Sequence, residues 1–345
     1  MLTVLTVGYP LAPLGPDAPG GAEQVATAID AALAAAGHHS IVIAPEDSIC
    51  AGTLVPLPTA PSVIDDNAIH RAHEACRHAL ATVLSNEHVD IVHLHGTDFA
   101  SYMPARGTKL ATLHRWPDCY APSIFEHPRA ALTLQCVSDA QRRACPRPGD
   151  VLVIRNGIDV GRFRPGGART GHALTLGRIC PEKGIHLAIE AVRRAGCPLT
   201  IAGRVFPYGT HLAYFDREVV PRLSRDIRFV GPVAASEKQE LLASARCLLL
   251  PSTVAETSSL VAMEALASGT PVVAFRSPAL EELIDHGRNG LLVSDVAGMA
   301  QALATIDRID PAECRRTAVE RCRMDAMTSA YLRAYTSIAA HAAAA

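Results

Sequence analysis

The chain has 345 residues, enough for two domains of ordinary size, and with 49% apolar and 19% charged residues both can bury a core. No apolar run reaches the roughly 18 residues that cross a bilayer, and the start, MLTVLTVGYP, lacks a basic leader and a cleavage site. The net charge of −2 divides unevenly: residues 1–160 hold 10 Lys+Arg against 16 Asp+Glu, and residues 161–345 hold 22 against 18. The first half therefore offers no basic tract, which argues against a nucleic-acid partner and against an anionic membrane surface; a soluble cytoplasmic protein without stable membrane insertion is expected. Ten cysteines are scattered without C-x-x-C or zinc-like spacing, several inside apolar segments, and read as buried free thiols.

In chain order, Leu2 to Val7 alternate with Thr and give way to a Pro- and Gly-rich loop, Pro10 to Gly21, before an Ala-rich helix from about Ala22 to Ala36 that Gly37 ends. Strand, loop and helix open a Rossmann-like half, and the pair Gly20-Gly21 either lets a ligand approach the backbone or is a plain turn. A strand at Ile41 to Ala44 and a helix around Ala68 to Leu84 follow, leading into HVDIVHLHG. Asp90 to Leu94 reads as a buried strand with His93 and His95 on one face, because side chains alternate. Leu110 to Leu113 delivers His114 at a strand's C-terminal end, where parallel sheets place ligands; histidines of the core or of a loop are the alternative. A strand from Ala131 to Val137 and a helix interrupted by PRPGD complete the first half, and the linker is placed at Gly166-Gly167, between Pro165 and Arg169.

The second half begins with a strand, Ala173 to Leu176, then GRICPEKG and a helix from Ile185 to Arg194. Arg178 and Lys183 sit in that loop, five residues apart between Gly177 and Gly184, a spacing suited to clamping a diphosphate. After LTIAG, Tyr214-Phe215, IRFVGPV and a helix from Ser236 to Ala245 come two buried strands, Leu248 to Leu250 and Pro271 to Phe275. Between them a helix of two to three turns starts near Ser258, and its N-terminus, through Ser259 and Leu260, is fit to receive a phosphate. Glu256 and Glu264 are eight residues apart, with Thr257, Ser258 and Ser259 beside the first. Each carboxylate can accept two hydroxyl hydrogen bonds, so the pair suits a ligand with a diol at each end of a diphosphate, such as a nucleotide-sugar. Helix caps would explain the same Ser and Thr. Near the C-terminus, Tyr331 and Tyr335 lie four apart in an apolar helical pattern that core packing explains.

The Glu pair, followed by EALASGTPVVA and PALEELIDHGRNGLLV, closely resembles the donor-site signature of family 4 retaining glycosyltransferases. That resemblance implies the GT-B fold, two Rossmann-like α/β/α domains facing across a cleft: residues 1–160 for the acceptor, 161–325 for the donor, and 326–345 as a terminal helix returning to the first domain. It implies further that GRICPEKG is the phosphate-binding loop, and that Gly20-Gly21 lies beside the donor phosphates. TLHRWP resembles the segment with a histidine near the donor sugar, which is carried to His114 rather than His95. Backbone near Phe229 to Val233, Val230 included, would hold the base, Glu256 the sugar hydroxyls and Glu264 the ribose; Glu282 matches a third acidic position. The family's usual Phe-Gly is replaced by Ser258-Ser259, which keeps the backbone donors and alters the fit to the sugar.

The implied activity is retaining, metal-independent transfer from a nucleotide-diphosphate sugar, a UDP-sugar first, to a small soluble acceptor, neutral or cationic. His114, Arg178, Lys183 and Glu256 are the catalytic candidates. No cofactor or metal is expected, since no two Asp residues are spaced i, i+2. Two alternatives stand beside it: a non-catalytic nucleotide-sugar-binding protein, which would usually lose one Glu, and a nicotinamide-dependent dehydrogenase, which would want the absent G-x-G-x-x-G.

Overall fold

A computed structural model of the chain describes residues 1–126, 132–166 and 171–344. The chain divides into two compact units, Met1–Asn156 with Asp325–Ala345, and Gly157–Met324.

In the first unit, β1 (Thr3–Val7), α1 (Gly21–Ala35), β2 (His39–Pro45), β3 (Thr53–Leu57), α2 (Asp66–Asn86), β4 (Ile91–Leu94), β5 (Lys109–Leu113), β6 (Thr133–Cys136), α3 (Asp139–Ala144) and β7 (Val151–Val153) follow one another. All seven strands are parallel, in the order β3-β2-β1-β4-β5-β6-β7. Such sheets are covered on both faces, and β1, β4 and β5 are accordingly near-continuous runs of buried residues. Strand β3 has no counterpart among the expected elements. Pro56 demotes it in a sequence reading, and its place at the sheet edge is where a missing N–H is tolerated.

The second unit runs through β8 (Ala173–Leu176), α4 (Ile185–Ala195), β9 (Leu199–Ala202), α5 (Gly209–Tyr214), β10 (Ile227–Gly231), α6 (Ala235–Ser244), β11 (Cys247–Leu250), α7 (Leu260–Ala267), β12 (Val272–Phe275), α8 (Pro278–Glu281), β13 (Gly290–Val293), α9 (Val296–Thr305) and α10 (Pro311–Arg321). Its six parallel strands are ordered β10-β9-β8-β11-β12-β13, with α4 packed on α9 and α7 on α10. The chain enters and leaves this unit side by side: Ile158 N–H donates to Cys322 O at 2.8 Å and Met324 N–H to Ile158 O at 2.9 Å. The terminal helix α11 (Met324–Ala344) then contributes Tyr331 and Tyr335, both fully buried, to the first unit.

The glycine pair expected as a linker is not at the division. Gly166 lies in the second unit, where a Cβ would stand 2.3 Å from Ala243 O, so packing rather than flexibility selects glycine there. Gly167 and Arg169, like Ala131 of the expected strand, lie outside the described residues.

Strand order reverses in the second sheet between β8 and β11, and the loops that leave their C-terminal ends flank the point where open α/β sheets bind ligands. Backbone contact holds those loops. Gly203, after β9, has φ +146°, and a Cβ on it would stand 1.7 Å from Gly177 O; Gly184, φ +61°, approaches Pro251 O so closely that a Cβ would stand at 2.2 Å. Gly203→Ala should therefore lower the unfolding free energy by about 2–4 kcal/mol through strain and displaced backbone. Denaturant titration checks it, and an unchanged midpoint would mean that the contact constrains nothing.

Candidate functional site

The β8–α4 loop carries Arg178, exposed, and Lys183, half-buried at the end of a single tight turn, Pro181–Lys183. Gly177 N–H donates to Ala202 O at 3.1 Å and Ile179 N–H to Arg204 O at 2.9 Å, so the loop continues the sheet's lacing for a few residues beyond β8. Thr253 N–H donates to Glu182 O at 2.9 Å and ties this loop to the one after β11.

That second loop delivers Glu256, whose Oε1 receives Lys183 Nζ at 2.6 Å and the Ser252 hydroxyl at 2.5 Å. Burial alone would raise the Glu256 carboxyl; the Lys183 ammonium, the Ser252 hydroxyl and the charge of Arg178 together outweigh it and hold the group below its usual range. Glu256 is thus a carboxylate, and Arg178 acts on it electrostatically. Helix α7 starts at Leu260 rather than near Ser258: Ser259 is its N-cap, with Oγ accepting from Ala262 N–H. The N–H groups of Leu260 and Val261 precede the point where the helix can supply partners, and the helix dipole is positive there. Thr257 is buried beside them, and Ser258 Oγ is buried with no hydrogen-bond partner among the described residues.

Glu264, on α7 and buried, accepts from Lys238 Nζ of α6 at 2.7 Å, and Lys238 also lies 5.6 Å from the centre of the Phe163 ring. At the sheet edge, the β10 register skips Val230, since Phe229 faces Ile201 and Gly231 faces Ala202. A bulge of this kind turns a peptide unit out of the ladder, and Val230 is 41% exposed. Glu282 directly follows α8 and is half-buried. The structure therefore brings Arg178, Lys183, Glu256, Thr257, Ser258, Ser259 and Leu260 to the ends of two adjacent strands. Sequence reasoning missed Ser252 and Lys238, the partners of the two Glu residues; a serine four residues before Glu256 was visible, whereas Lys238 is brought in by tertiary packing.

Gly20, Gly21 and His114 belong to the first unit. Gly20 is the N-cap of α1, and a Cβ there would collide with the Glu23 carboxylate, which folds back over the helix start. His114 follows β5 and is clamped on both sides: Gln141 Nε2, on α3, donates to Leu113 O and to Arg115 O, each at 2.7 Å. Its Nε2 lies 3.1 Å from His95 Nδ1, and His95 Nε2 lies 3.2 Å from His93 Nδ1.

A carbonyl fixes where the protons in this ladder sit. Gln135 Nε2 donates to Ile154 O at 2.9 Å, leaving Oε1 to accept from Thr112 Oγ1 at 2.7 Å and Tyr331 Oη at 2.8 Å. With its proton on Gln135, Thr112 accepts from His93 Nε2 at 2.8 Å, so His93 Nδ1 carries a lone pair and accepts from Tyr335 Oη at 2.6 Å. His95 Nε2 shares that one lone pair as a second, longer donor, since His93 Nδ1 has no proton to give, which leaves His95 Nδ1 to accept and His114 to donate from Nε2. All three rings are neutral, in keeping with burial, which lowers His93 to about 3, His114 to about 4 and His95 well below 6.5.

The family described as Glycosyltransferase Family 4 matches residues 19–162, and that described as Glycosyl transferases group 1 matches residues 170–307. Glycogen synthase of Mycobacterium tuberculosis is 40% identical over 185 residues, 50% of this chain and only 43% of its own length. Phosphatidyl-myo-inositol mannosyltransferase of Mycolicibacterium smegmatis is 28% identical over 325 residues, 84% of this chain and 82% of its own. A solved structure, Anabaena HepE in complex with UDP and glucose, matches with a TM-score of 0.74 at 18% identity over 98% of this chain and 100% of that one. The fold is GT-B, and the chain belongs to the group 1, family 4 glycosyltransferases.

The neutral ladder carries a pH signature. Its histidines are neutral when folded and take up a second proton below about 6.5 when unfolded, so stability falls as pH drops through 6.5 and levels off below about 4 for His114 and about 3 for His93. Each contributes a slope of up to about 1.4 kcal/mol per pH unit in that window. His95→Gln should flatten the fall measured by urea titration between pH 7 and 4. The same slope in wild type and variant would show that His95 is protonated in the folded protein.

Proposed function

We propose that this chain is a retaining glycosyltransferase that moves a sugar from a nucleotide-diphosphate sugar, a UDP-sugar first, to a small soluble acceptor. The observation that carries this reading is the convergence in the second unit of two cations, a carboxylate and a helix N-terminus: Arg178, Lys183, Glu256 and the start of α7. A diphosphate recruiting Lys183 and the α7 amides leaves Glu256 Oε1 free to accept sugar hydroxyls. The unpartnered hydroxyl of Ser258 is a further group for the same ligand to satisfy. Val230 would present backbone to the base, and Glu264, with Lys238, would face the ribose. HepE, whose fold this chain shares, holds UDP and glucose, which supports the choice of donor.

In the transfer, the bond from the anomeric carbon to the phosphate breaks while the acceptor hydroxyl adds on the same face, and its proton passes to the leaving phosphate. Negative charge grows on the diphosphate, and fixed positive groups that need no reorganisation lower the barrier. Added magnesium or manganese is not required in this reading, because Arg178, Lys183 and the α7 dipole supply the charge. The first unit is assigned the acceptor. Its half of the sequence is acidic, Lys109 is buried with its Nζ on Gly107 O at 2.9 Å, and α2 carries no Lys and only Arg71 and Arg77, all of which favours a neutral or cationic acceptor over an anionic lipid.

Incubation with a panel of nucleotide-sugars, read as free nucleotide released, tests the activity; release from none of them would leave a binding protein. Arg178→Ala and Lys183→Ala should each weaken the nucleoside diphosphate in calorimetry and cut turnover by about 10²-fold or more. The two carboxylates should separate: Glu256→Ala lowers transfer more than affinity for the nucleotide, while Glu264→Ala lowers that affinity directly. Matching losses in both variants would dissolve the assignment. Salt-sensitive sedimentation with anionic vesicles, with transfer stimulated by them, would move the acceptor to a membrane.

A further inference from the structure

Cys180, Glu182 and His211 take no part in the donor chemistry above. Cys180 and Glu182 stand on the loop between Arg178 and Lys183, and His211 is the third residue of α5, yet the thiol sulfur, a carboxylate oxygen and a ring nitrogen all lie within 4.8 Å of one another. Cys180 is fully buried and His211 is 7% exposed. Two ligand-capable atoms in this group have no hydrogen-bond partner among the described residues, Glu182 Oε2 and His211 Nδ1. Buried acceptors of that kind are normally satisfied, and two of them beside a thiol form a set that a cation completes. We propose that Cys180, Glu182 and His211 bind one divalent metal ion of the zinc class, pinning the β8–α4 loop to α5.

The donor set selects the metal. One sulfur, one nitrogen and one oxygen suit zinc, which is bound tetrahedrally by these three ligand types with a fourth position for water, whereas magnesium and calcium want oxygen alone. Tetrahedral zinc holds its ligands about 3.5 Å apart, so small side-chain rotations close the trio onto an ion. The thiol gives up its proton to solvent on binding, and the ion replaces it as the charge that balances the sulfur. The expectation of no metal came from the missing pair of aspartates, a signal for magnesium or manganese at a diphosphate; it does not speak to a thiolate and an imidazole 31 residues apart. This site stands or falls independently of the donor assignment.

The full-length protein, stripped with chelator and dialysed, is titrated with zinc alone against a chromophoric competitor, and separately with cobalt. One equivalent of zinc is expected, with Cys180→Ser, Glu182→Gln and His211→Gln each weakening it at least tenfold. The cobalt form should show a thiolate charge-transfer band and four-coordinate visible absorption that Cys180→Ser abolishes. Cys119→Ser, at the exposed cysteine, should change neither. Binding below one equivalent, a cobalt spectrum without the sulfur band, affinity unchanged in all three ligand variants, or loss of the ion in Cys119→Ser would each overturn the proposal.

Discussion

Two contacts made without side chains set the second unit's chemistry: the approach of Gly203 to the carbonyl of Gly177 and of Gly184 to that of Pro251. No Cβ fits at either place, so the loops leaving β8, β9 and β11 stand as close as polypeptide allows. Arg178 and Lys183 owe their positions to that closeness, and Lys183 meets Glu256 only because the loop bearing it is drawn against Pro251. The backbone of these loops is thus set in advance, and only the ends of the two side chains have to turn toward a ligand, which keeps the cost of reorganising their charge small.

The first unit fixes a side chain by another route. His114 is held through proton-sharing partners on β4, β5, β6, α3 and α11, and the whole series is oriented by one amide, that of Gln135, on the carbonyl of Ile154. A buried polar network of this kind is tolerable only when every member is satisfied, and it specifies a single arrangement when it is. The two units thus share a sheet plan and differ in what makes their loops rigid.

Much of this could be read from residue order. Apolar runs announced most strands, the glycines around Arg178 and Lys183 announced a tight loop, and the eight-residue interval between Glu256 and Glu264 announced a loop and a helix. Strand β3 could not be read because Pro56 argues against it until its edge position is known. The start of α7 lies two residues beyond the expected Ser258 because Ser258 and Ser259 are equally good caps locally, and it is Ser259 whose hydroxyl accepts from Ala262 N–H. Lys238 and Glu264 are 26 residues apart on different helices, and His93 and Tyr335 are 242 apart. Periodicity carries no information about pairs of that kind. The alternation of His93 and His95 did place both on one face; the donors that set their protonation come from elsewhere in the chain.

The terminal helix gives the fold an order of assembly. Residues 1–156 leave the ribosome before the second unit, Gly157–Met324, but the hydroxyls of Tyr331 and Tyr335, which complete the polar interior around Gln135 and His93, are synthesised only after that unit is finished. The unit that is continuous in sequence can therefore close before the one that is made first, whose interior holds unsatisfied imidazole and amide groups until then. A chain cut anywhere before residue 331 leaves Gln135 Oε1 without the Tyr331 hydroxyl and His93 Nδ1 without that of Tyr335, so the stability of the first unit depends on residues made after the second.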